Sequence, residues 1–132
     1  MRKMIVLLML GTLVGAGVLA YLYFTDNETT ELDSLQDRVL HTESVIVTLQ
    51  DSSYLQMTIS IETDSPATKQ KLEEAYPLVE NAMIHSLSVL EREEIQRENG
   101  VAMMESALLE EFQELLEEGE VKQVYVTEKV LQ

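Results

Sequence analysis

From Met4 to Phe24 the chain carries no charged side chain (MIVLLMLGTLVGAGVLAYLYF), and this run limits its possible folds more than any other feature. At ~1.5 Å rise per residue it makes a helix of about 31 Å, close to the ~30 Å hydrocarbon core of a bilayer. The run predicts one membrane-spanning helix over 4–24, preceded by a short cytoplasmic stretch, 1–3. Arg2 and Lys3 come before it, and Asp26, Glu28 and Glu31 come after. Basic residues stay on the cytoplasmic side, so the N-terminus is expected inside and residues 25–132 outside, on the periplasmic or outer side of the cell membrane. Tyr21, Tyr23 and Phe24 fall at the outer end, where amphipathic rings favour the interface. The competing reading is a cleaved signal peptide, with small residues near Val18-Leu19-Ala20 before the cut. Against it, the apolar run continues through Phe24, longer than an h-region of ~7–15 residues.

Within the run, Gly11 and Gly15 form a GxxxG step, a candidate packing surface for a second anchor helix. Glycine is common in membrane helices, so the bland reading stands beside it.

Of nine basic residues, Arg2 and Lys3 precede the apolar run; all 24 acidic residues follow it, which leaves seven basic against 24 acidic and a net charge of −17 outside. Such a portion repels nucleic acid and anionic lipid headgroups, and its expected partners are cationic protein segments or divalent ions. Acidity for solubility alone is the simpler alternative. The chain has no cysteine, which removes disulfides, thiolate catalysis and cysteine zinc sites together.

Residues 25–44 are polar and acidic and read as a juxtamembrane linker; Leu32, Leu35, Val39 and Leu40 recur in it at helical spacing. The domain proper is expected over 45–132. Val45 to Leu49 is short and rich in β-branched residues, Gln50-Asp51-Ser52-Ser53 has turn composition, and Tyr54 to Glu62 alternates. Leu55, Met57, Ile59 and Ile61 share one face, so the two segments predict an antiparallel hairpin. Ser65 followed by Pro66 starts a helix as N-cap and first-turn proline. Leu72, Tyr76, Val79, Met83, Leu87 and Leu90 give it an apolar face, and Pro77 predicts a kink or break, because it removes a helical hydrogen bond and disfavours α geometry at Tyr76. Glu91 to Asn99 reads as a charged loop. A second helix opens at Asn99-Gly100, packs through Val101, Met104, Leu108, Phe112 and Leu115, and stops at Gly119. Val121 to Leu131 returns to strand composition. The expected fold is α+β: a transmembrane helix, then a small β-β-α-α-β outer domain.

Little in the chain looks catalytic. His41 and His85 are the only histidines. A metal site would need carboxylates such as Glu43 or Glu80, and a half-buried structural role for His85 is the plainer expectation. No serine sits in a nucleophile elbow, and Gly100 and Gly119 are the only glycines beyond the apolar run, so there is no phosphate-binding loop. No enzyme activity, cofactor or metal is expected. One feature is energetically odd: no basic residue lies between Arg97 and Lys122, while Glu105, Glu110, Glu111, Glu114, Glu117 and Glu118 crowd the second helix. Near a helix C-terminus the dipole already disfavours negative charge. Glu110, Glu111, Glu114, Glu117 and Glu118 therefore form a candidate docking strip for cationic residues of a partner, against the default of a solvated face.

The order of these elements, and several strings within them, resemble the FliL family of flagellar basal-body-associated proteins. The strings are Tyr54-Leu55-Gln56, Leu72-Glu73-Glu74 leading to Pro77, Asn81-Ala82-Met83-Ile84 leading to Leu87-Ser88, Gly100, Leu115-Leu116-Glu117-Glu118-Gly119 and the closing VKQVYVTEKVLQ. The resemblance implies a non-enzymatic, stomatin-like outer domain anchored in the membrane lipid by its N-terminal helix. It also implies association with flagellar stator proteins and other basal-body components, a homo-oligomeric ring, and support of motor rotation, swimming or swarming. Two alternatives remain at this point: an anchored adaptor of another envelope machine, and a membrane-tethered acidic hydrolase.

Overall fold

The computed structural model describes residues 1–26 and 31–132. Glu28 and the rest of 27–30, part of the expected linker, lie outside the described residues. The chain divides into two compact units, Met1–Ser34 and Leu35–Gln132.

In the first unit the charge-free run forms helix α1, Arg2–Asp26. From Met1 to Phe24 the residues are exposed, and an apolar helix of this length suits a non-aqueous surrounding. Among the described residues it is the one helix long and apolar enough to cross a membrane. That is consistent with a single-pass anchor.

Helix α2 covers Glu31–Gln36 and corrects part of the linker expectation. Helical spacing holds for Leu32 and Leu35 only; Val39 and Leu40 belong instead to strand β1, Val39–His41. The remaining elements are β2 (Val45–Thr48), β3 (Tyr54–Thr63), α3 (Pro66–Glu74), α4 (Tyr76–Ser88), α5 (Arg92–Gln96), α6 (Gly100–Glu114) and β4 (Val121–Leu131). The fold is α+β, with one more strand and more helical segments than the β-β-α-α-β expectation.

Strand β3 is the axis of the sheet. Antiparallel β4 pairs along Leu55–Thr63. β2 pairs with Tyr54–Met57 and β1 with Ser60–Glu62, also antiparallel, so these two short strands share the other edge of β3. Thr42 fills the gap between them. Its N–H donates to the Ile59 carbonyl at 3.0 Å, and its hydroxyl accepts from the Ile59 N–H at 3.1 Å. Ladder groups that the break would orphan are thereby satisfied.

The alternation in β3 sends Leu55, Met57, Ile59 and Ile61 to one face, each 0% exposed. Against that face pack Leu72 of α3, Val79, Met83 and Leu87 of α4, Ile95 of α5 and Met104, Leu108 and Phe112 of α6. Helices α3 and α4 are separate, as Pro77 requires: Ala75 leaves helical geometry (φ −101°, ψ 27°), and α4 restarts with Pro77 in its first turn. The stretch expected as a loop at 91–99 contains α5. The Glu94 carboxylate accepts from the Glu91 N–H at 2.9 Å, half of a capping box, and buried Ile95 pins the turn to the core.

Candidate partner-docking surface

Helix α6 presents Gly100, Met104, Leu108 and Phe112 inward, one every four residues. That periodicity leaves Glu110 and Glu114 exposed and Glu111 half-buried. The expectation that the helix runs to Gly119 is corrected: α6 ends at Glu114, so Glu117 and Glu118 lie in the connection to β4. Gln113 holds the connection that follows. Its side chain donates to the Gly119 carbonyl at 3.2 Å and accepts from the Val121 N–H at 2.9 Å, a staple across the connection. Gly119 closes it at φ 100°, a conformation that favours glycine.

The five carboxylates therefore form two groups. Glu110, Glu111 and Glu114 border a groove of about 370 Å³ between the end of α4 and the middle of α6, with Val89, Leu90 and Ala107 also lining it. Glu117 and Glu118 line a hollow of about 240 Å³ with Leu78, Leu115 and Leu116. Among the described residues, the ion pair that touches the five is Lys71 to Glu118, at 3.9 Å between exposed groups, a contact worth ~0–1 kcal/mol at most. Glu105, on the same helix, is engaged within the domain, where its carboxylate accepts from the Val126 N–H of β4 at 3.0 Å.

His85 is exposed and lies in the same groove, which corrects the half-buried expectation. Val79, Met83 and Leu87 define the core face of α4, and a residue two past Met83 falls off it. His41 stands on the uncovered face of the sheet, its Nδ1 2.7 Å from the Ser60 hydroxyl. Among the described residues no group of three or more His, Asp or Glu is placed to hold a metal ion. Gly11 and Gly15 lie on α1 with open space where a Cβ would stand.

Among the described residues three titrations depart from the ordinary, each through a side-chain hydrogen bond. The Thr68 hydroxyl donates to Asp64 at 2.6 Å and holds its carboxyl below the usual 3.8. The Ser53 hydroxyl does the same for Asp51 in the β2–β3 turn. Tyr125 donates to the Glu62 carboxylate at 2.9 Å, which raises the phenol above 10.0. These groups belong to a turn at the start of α3, the β2–β3 turn and a cross-strand pair.

Residues 39–132 match the family described as flagellar basal body-associated protein FliL. The match starts at Val39, the first residue of β1. The flagellar protein FliL of Bacillus subtilis (strain 168) is 28% identical over 101 residues, which cover 76% of this chain and 72% of that protein.

Proposed function

The chain belongs to the FliL family of flagellar basal body-associated proteins, and on that premise we propose that it associates with the stator and supports motor rotation. The protein is a non-enzymatic flagellar protein. The observation that carries the proposal is the extent of the match, which takes in every strand of the sheet and every helix on it.

In this reading α1 is the anchor, held with Arg2 and Lys3 in the cytoplasm and the acidic domain outside, as the charge asymmetry favours. Copies assemble as a ring, with Gly11 and Gly15 allowing neighbouring anchors to approach closely. Glu110, Glu111, Glu114, Glu117 and Glu118 serve as the strip that receives cationic residues of a partner. Charge supports that assignment: four of the five have no ion pair among the described residues, so a cationic partner would meet carboxylates not already neutralised.

The test is motility. A strain lacking the chain should assemble flagella but swim slowly in viscous medium, with recovery on re-expression. Normal swimming under load would remove the proposal.

A further inference from the structure

The groove between α4 and α6 brings exposed apolar side chains together with carboxylates. One side, its floor, is apolar: Val89 is 61% exposed, with Leu90 and Ala107 half-buried beside it and His85 at the edge. Its wall is anionic, formed by Glu110, Glu111 and Glu114. The hollow at the other end of α4 repeats it in part, with Leu78 56% exposed and Glu117 and Glu118 beside it, although Lys71 also lines it and pairs with Glu118.

The two linings also fix the helix directions. The end of α4 lies beside the second half of α6, from Ala107 to Glu114, and the start of α4 beside residues just past the end of α6, so the two helices run in opposing senses. From Leu78 to Val89 is roughly 16 Å at ~1.5 Å per residue, about three helical turns.

We propose that this side of the helical layer is a docking site for a basic amphipathic helix of a partner protein. Apolar side chains at helical spacing would fill the groove beside Val89 and Ala107, and Lys or Arg on the adjoining flank would face Glu110, Glu111 and Glu114. Charge complementarity selects this occupant. An apolar segment without cations would desolvate carboxylates and return nothing. A second copy would bring its own excess of acid, since the chain carries −15 overall. A cationic segment without an apolar face would leave Val89 wet. Helix-in-groove recognition with flanking charge satisfies both the wall and the floor.

The inference rests on the reading of these carboxylates as a docking strip, and it adds the apolar floor and the helical form of the ligand. The test uses the full chain in zwitterionic nanodiscs, with methyl resonances of Val89 and Ala107 observed by NMR. The probes are a 15-residue peptide with leucines at i, i+3, i+4 and i+7 and lysines on one flank, the same composition scrambled, and oligolysine of equal charge. The amphipathic peptide should shift both methyls saturably. Its affinity should fall about tenfold in the Glu110→Gln, Glu111→Gln, Glu114→Gln triple variant, the loss expected from several exposed pairs together. A similar loss should follow from Ala107→Trp, which fills the groove.

Equal binding of oligolysine, with no effect of Ala107→Trp, would overturn the groove and keep the strip. No shift with any peptide would overturn both, without bearing on motility. Shifts that follow protein concentration in the absence of peptide would make the groove a contact between copies and overturn the proposal.

Discussion

Replacing Gly100 by alanine should destabilise the domain through one contact. A Cβ there would lie 2.1 Å from the Ile95 carbonyl oxygen and 2.7 Å from its carbon, whereas ordinary carbon–oxygen contacts are roughly 3.3 Å or longer. The obstructing atoms are backbone, so no rotamer change relieves them; α5 must move away from α6 by about 1 Å. Ile95 is 1% exposed, and the same displacement loosens it from the core. Overpacking of this kind costs ~1–3 kcal/mol, offset by at most ~1 kcal/mol of gained helix propensity. A net loss of about 1–2 kcal/mol corresponds to a Tm lower by roughly 4–16 °C for a domain of this size. Thermal unfolding of the full chain in mild detergent, followed by the methyl resonances of Ile95, which is 1% exposed and lies outside α1, reads this directly. A variant as stable as the parent would refute the close α5–α6 approach.

Other substitutions and conditions probe separate parts of the molecule. Thr42→Val removes the hydroxyl that accepts from the Ile59 N–H and should cost about 1–3 kcal/mol, measured by urea unfolding. Because Asp64 ionises below its usual 3.8 in the folded state, its contribution is fully present above that value. It is lost as pH falls through the lowered one, so Asp64→Asn should flatten the acid limb of a Tm-versus-pH curve. A soluble outer portion, residues 35–132, should sediment as a monomer at low ionic strength and associate as salt shortens the range of its self-repulsion; stable rings in low-salt buffer would argue against electrostatic control.

Where a local signal is strong, sequence and structure agree. The alternation from Leu55 to Ile61 forms the buried face of β3, and Pro77 separates α3 from α4. Three departures from expectation share a cause. Val39–His41 is too short to announce itself and exists as a strand because β3 extends past β2 and leaves an edge open. α5 is mostly charged, and its order comes from a capping box and one buried side chain, Ile95. α6 ends at Glu114, and the connection beyond it is held by the Gln113 side chain on Gly119 and Val121. Each outcome is decided by a tertiary partner and not by the segment's own composition. The proposed docking strip is legible as a charge pattern; the groove beside it is not, because Val89 and Ala107 come to line one groove only in the folded domain.

If this chain acts at the flagellar basal body, its location in the cell is the most direct test. An export-competent fluorescent tag on the outer domain should give discrete membrane foci that coincide with labelled basal bodies and are lost when α1 is deleted. An even distribution around the membrane, indifferent to the positions of the basal bodies, would contradict a role there.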